Sequence, residues 1–148
     1  QEQSTKIAIK SDKESLTYRQ WNERAADLSK RIAEQTSPKS RNIAVFLPNS
    51  ISYAVAYFAA AFADKVVVPI GVKAKGPEIV STLQYCEIDL ILTDTAGLDS
   101  LKEILEGYPY RICVLLVDDE TRAVFTRNAG TWKRRMRLAS KEPRTMCS

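Results

Sequence analysis

The sequence alternates between short apolar runs and segments of helical periodicity, and this alternation strongly limits the folds the chain can adopt. Four runs lack the polar–apolar alternation of a half-exposed strand: residues 42–47, 66–70, 89–93 and 111–117. Such runs are typical of strands that are covered on both faces of a sheet. The segments between them carry apolar residues at helical spacing, and each connection is short. The pattern predicts an α/β domain with a mostly parallel sheet and helices on both faces.

The start of the first helix is predicted by a capping box. Thr17 and Gln20 have the spacing at which each side chain can bond the other's backbone N–H. The apolar residues that follow, at intervals of four, three and four, form one stripe: Trp21, Ala25, Leu28 and Ile32. Residues 6–18 hold two weakly alternating runs separated by a polar turn, so a short β-hairpin is expected before the helix.

The second helix, at roughly residues 51–63, is apolar on nearly every side, so we expect it to be deeply buried. Asn49 or Ser50 is placed to cap it. Aromatic residues at helical spacing can line an acyl pocket, but they are more often core. We interpret four of them as core: Tyr53, Tyr57, Phe58 and Phe62.

Ligands of parallel sheets usually bind beyond the carboxyl ends of the strands. In this chain those ends are residues 48–50, 71–75, 93–95 and 118–120. Lys73 and Lys75 are placed there to contact an anion such as coenzyme A, although we interpret them as solvated. The carboxylates of Asp118, Asp119 and Glu120 are either a paired-carboxylate or metal site or a solvated strand end, and we favour the solvated strand end.

Charge is unevenly distributed along the chain. Residues 121–148 carry eight Lys or Arg and one acid, a charge of +7, whereas the other 120 residues carry −3. Residues 132–137 mix tryptophan with cations, as nucleic-acid-binding and membrane-surface segments do. Because clear periodicity is missing, we divide the chain into residues 1–120, a folded portion, and residues 121–148, a basic tail or linker that need not be ordered.

Several kinds of chemistry are excluded by composition. The chain has no histidine, which rules out Ser-His-Asp and Cys-His sites within it. Its five glycines form neither a dinucleotide-binding fingerprint nor a P-loop. Cys86 and Cys113 lie in apolar segments and are expected in the core. With Cys147 they show no metal-ligand spacing, so a reducing, cytoplasmic setting is expected.

Four elements together resemble the N-terminal region of the adenylate-forming, or AMP-binding, ligase superfamily. They are residues 16–25, residues 43–50 (Ile-Ala-Val-Phe-Leu-Pro-Asn-Ser), residues 66–70 (Val-Val-Val-Pro-Ile) and residues 90–94 (Leu-Ile-Leu-Thr-Asp). The superfamily includes acyl-CoA synthetases, the adenylation domains of nonribosomal peptide synthetases, and luciferases. The resemblance covers about residues 6–117. One departure is Asp64-Lys65, where family members commonly have a glycine before the Val-Val-Val-Pro strand.

The resemblance implies a reaction and its cofactors. Family members join a carboxylate to ATP, and most then pass the acyl group to the thiol of coenzyme A or of a carrier protein's phosphopantetheine. Magnesium and a Ser/Thr-Gly-rich loop hold the phosphates. That loop, the adenine-binding segment, the ribose-binding aspartate and the catalytic lysine lie beyond the matched elements. We therefore assign no catalytic or metal residue to this chain and leave its cofactor-binding residues unassigned.

Three functional hypotheses follow. The first is the N-terminal fragment of an adenylate-forming ligase, incomplete as a domain and inactive alone. The second is a stand-alone binding or assembly module on the same scaffold. The third is a nucleic-acid or acidic-surface binder that acts through the basic tail. The first is favoured because the scaffold elements are present and the catalytic ones are absent. Substrate choice in the superfamily is made further along the chain, so no particular carboxylate is predicted.

Overall fold

The computed structural model describes residues 6–10, 15–117, 124–128 and 131–135. Within them the chain forms two sheets and four helices. The elements in chain order are β1 (Ile7–Lys10), β2 (Ser15–Thr17), α1 (Tyr18–Gln35), β3 (Asn42–Phe46), α2 (Ile51–Phe62), β4 (Val66–Pro69), α3 (Gly76–Tyr85), β5 (Leu90–Thr93), α4 (Thr95–Ile104), β6 (Ile112–Leu116), β7 (Val124–Asn128) and β8 (Thr131–Arg135).

The main sheet has six strands in the order β4-β3-β5-β6-β7-β8. The first four are mutually parallel, and β7 and β8 continue the sheet as antiparallel strands. Strands β1 and β2 form a separate antiparallel pair. The predicted α/β class, the parallel sheet and the preceding hairpin strands are therefore confirmed. The predicted turn at residues 11–14 lies outside the described residues.

Helices cover both faces of the main sheet. On one face, α1 and α2 pack on alternate residues of the parallel strands, including Val45, Leu92 and Leu115. On the other face, α3 and α4 pack on the intervening residues, such as Ile91 and Val114. All five of these side chains are 0% exposed. This double coverage explains why the strands read as continuous apolar runs.

Side-chain caps start three of the helices, and those of α1 and α2 are predicted by the sequence. Thr17 and Gln20 form a complete capping box: Gln20 N donates to Thr17 Oγ1 at 3.1 Å, and Thr17 N donates to Gln20 Oε1 at 2.9 Å. Ser50 accepts from the backbone N–H of Tyr53 at the start of α2. Asp94 caps α4 in the same way. Each cap satisfies an N–H that the first helical turn leaves without a partner.

The region after residue 120 differs from the prediction. Within the presumed tail, β7 and β8 form a hairpin that pairs with β6. Residues 124–128 and 131–135 of the expected basic tail or linker are therefore strands of the main sheet. The boundary at residue 120 stays a prediction. The basic residues concealed the strands, because antiparallel edge strands need little apolar periodicity.

The Asp64-Lys65 turn, where the family pattern has glycine, is built with backbone strain. Asp64 has φ 60°, and Lys65 N donates to Ala60 O at 2.8 Å, which is the Schellman arrangement that usually places glycine at this position. The Lys65 ammonium donates to Ser37 O and Ser40 O at 3.0 and 2.6 Å and so ties the turn to the preceding loop. Glu87, with φ 53°, holds the same position after α3.

We expect Asp64→Gly and Glu87→Gly each to raise the free energy of unfolding by up to about 1 kcal/mol, since glycine removes the left-handed strain. Asp64→Ala is the matched control, and it should give no gain in stability because alanine keeps the left-handed strain. Urea unfolding followed by circular dichroism measures all three. If the glycine and alanine variants at residue 64 were equally stable, backbone strain would not be the cause.

Candidate functional site

The carboxyl ends of β4, β3, β5 and β6 meet at one edge of the sheet because these strands are parallel. The edge also contains a topological switch point between β3 and β5. The chain leaves β3 through α2 on one face and leaves β5 through α4 on the other. In open α/β sheets, ligands bind in the crevice at such a point. Residues 48–50 and 94–95 border it.

A buried hydroxyl joins the two strands at the switch point. Phe46 and Thr93 end β3 and β5 and are partners in the register. The Thr93 hydroxyl, which is 0% exposed, donates to Phe46 O at 2.7 Å. A Cβ at Gly97, in the first turn of α4, would lie 2.0 Å from Thr93 Oγ1. The close approach of α4 to the strand end therefore requires glycine at this position.

The polar side chains that border the crevice are already engaged in capping. Asp94 Oδ1 accepts from Gly97 N at 2.7 Å. Ser50 Oγ accepts from Tyr53 N at 3.2 Å and donates to Pro48 O at 2.9 Å. These contacts fix the amino ends of α2 and α4 beside the switch point. What they provide is positioning, because no nucleophile lies beside a general base among these groups.

The other residues predicted at this edge are two lysines and three carboxylates. Lys73 and Lys75 lie on the loop between β4 and α3, and both are exposed. Residues 118–120 lie outside the described residues. In the described part of the chain no three His, Cys, Asp or Glu side chains come together as a metal site would require. Cys86 is half-buried, and Cys113 is buried with Sγ 3.7 Å from Thr126 Oγ1. Cys147 also lies outside the described residues.

A tyrosine hydroxyl with a raised pKa lies away from the carboxyl edge of the sheet. Tyr108 precedes β6, and burial, together with the charge of Tyr110, raises the pKa of its hydroxyl above the usual 10.0. Its carbonyl accepts a hydrogen bond from the guanidinium of Arg127, which is 3% exposed. This arrangement fixes β7 against the amino end of β6. We assign it a structural role.

The aromatic residues of α2 are not the core that the sequence predicts. Tyr57, Phe58 and Phe62 are 53%, 40% and 50% exposed. Only Tyr53 of the four packs against a core, and it is half-buried. The expectation that α2 is deeply buried therefore holds for its inner face, which includes the buried Val55 and Ala59, and fails for its outer face. We define the aromatic stripe as five neighbouring rings of α1 and α2: the half-buried Trp21, which also packs on the core, and the exposed Tyr18, Tyr57, Phe58 and Phe62.

Two features of this region escape sequence reasoning. The need for glycine at residue 97 was missed because Gly97 belongs to no phosphate-binding motif, although its place four residues after Thr93, in a helical first turn, is a usable signal. The stripe was missed because exposed and buried aromatics have the same helical spacing.

Among the described residues no helix has both the length and the apolar character to cross a membrane.

Comparison with known proteins agrees with this architecture. The family model described as AMP-binding enzyme matches residues 1–146, and so extends through the region that sequence reasoning set apart. An uncharacterized acyl-CoA ligase of Bacillus subtilis is 27% identical over 88 residues, which are 60% of this chain and 18% of that protein. A long-chain-fatty-acid–AMP ligase of Mycolicibacterium smegmatis is 28% identical over 122 residues, which are 79% of this chain and 19% of that protein.

Solved structures show the same fold. A nonribosomal peptide synthetase in an α-methyl-L-serine-AMP bound form superposes with a TM-score of 0.68 at 18% identity, over 77% of this chain and 12% of that chain. The O-succinylbenzoate coenzyme A synthetase of Bacillus subtilis, in complex with AMP, gives a TM-score of 0.64 at 19% identity, over 76% and 28%. The chain spans less than a fifth of the length of the two curated relatives. It belongs to the AMP-binding enzyme family, and its fold matches the N-terminal part of the adenylate-forming domain.

Proposed function

We propose that this chain is the N-terminal part of an adenylate-forming ligase, which joins a carboxylate to ATP, releases pyrophosphate and transfers the acyl group to a thiol. The observation that carries the proposal is the family match over residues 1–146 in a chain that spans less than a fifth of its relatives. Within such an enzyme this part supplies the scaffold. Since the reaction consumes ATP, we place it in the cytoplasm.

The residues present do not suit ATP and magnesium on their own. The sequence has no phosphate-binding loop, and the described residues hold no cluster of carboxylates. At the switch point, the oxygens of Asp94 and Ser50 serve the helix caps. Lys73 and Lys75 are exposed, as solvated lysines are. We therefore propose that the chain alone is inactive.

A chimeric protein, called the joined protein below, tests the proposal. Residues 1–146 would replace the matched stretch of the Mycolicibacterium smegmatis long-chain-fatty-acid–AMP ligase, and ATP–pyrophosphate exchange would be measured with a long-chain fatty acid. We expect exchange above that of the same ligase without its matched stretch. A folded joined protein no more active than the truncated ligase would contradict the proposal.

A second candidate, a binding or assembly module, is favoured by the aromatic stripe, which is exposed as a docking surface would be.

The third candidate, a nucleic-acid binder that acts through the basic segment, has weaker support. Arg127, one of that segment's cations, is buried against Tyr108 and so contributes to folding. Lys133 and Arg134 are exposed. They also protect an edge strand from pairing with other chains, which is a common role for cations at that position.

A further inference from the structure

We draw no further inference here: the strongest candidate, the surface cluster in which Lys102 of α4 and Arg134 of β8 lie 5.8 and 5.9 Å from the centroid of the Phe125 ring, carries nothing further, because both cations pack on that ring and Arg134 belongs to the basic segment already considered as a nucleic-acid binder.

Discussion

Gly97→Ala is expected to lower the free energy of unfolding by about 2–3 kcal/mol, a large effect for a single added methyl group. The new Cβ would lie 2.0 Å from Thr93 Oγ1 and 3.3 Å from the Phe46 ring. Thr93 cannot turn away without losing its buried hydrogen bond to Phe46 O. Alanine's better helix propensity offsets only about 1 kcal/mol. The loss is measured by urea unfolding.

Two further variants isolate the cause. Gly76→Ala is the matched control, because a Cβ there meets Ile104 at an ordinary 3.7 Å; its stability should be unchanged or slightly higher. Thr93→Ala in the Gly97→Ala background should recover part of the loss, since it removes the clashing oxygen, with a coupling energy of about 1 kcal/mol or more. Additive effects of the two substitutions would show that Thr93 is not the obstacle.

Ile91→Ala and Leu92→Ala should each lower the free energy of unfolding by about 3 kcal/mol. These neighbours in β5 are both 0% exposed but pack on opposite faces of the sheet, Ile91 under α3 and α4 and Leu92 under α1 and α2. In a sheet with one solvated face, one of the two changes would be nearly neutral. Equal losses are therefore a direct signature of double coverage.

Ile7→Ala provides the reference for this pair, because Ile7 is 59% exposed in β1 and should change stability by less than about 0.5 kcal/mol. Chemical denaturation of the three variants under one set of conditions gives the comparison. A loss at Ile91 or Leu92 no larger than the loss at Ile7 would contradict the packing of that face.

The sequence predicted the central fold well because strong local signals coincide there. Four continuous apolar runs correspond to β3, β4, β5 and β6, and the Thr17–Gln20 box forms as expected. Prediction was weakest where one pattern has two structural outcomes. Helix α2 is apolar all round, but its outer aromatics are exposed, since burial depends on what covers a face and not on periodicity.

The candidate site was predicted only in outline. Parallel topology places the strand-end loops together, which the order of the elements already implies. The tie between Thr93 and Phe46, by contrast, joins residues 47 positions apart, and no local pattern reveals it. Strands β7 and β8 were concealed for a related reason. The pairing of β7 with β6, and of β8 with β7, supplies the stability that the basic residues at 131–135 do not indicate.

The central claim is that this chain provides the scaffold of an adenylate-forming ligase and not its chemistry. ATP–pyrophosphate exchange by the purified 148-residue chain, measured with magnesium and a panel of carboxylic acids, tests it most directly. The account predicts exchange no greater than that of a blank without protein, while the joined protein exchanges with a long-chain fatty acid. Clear exchange that depends on the 148-residue chain alone would contradict it.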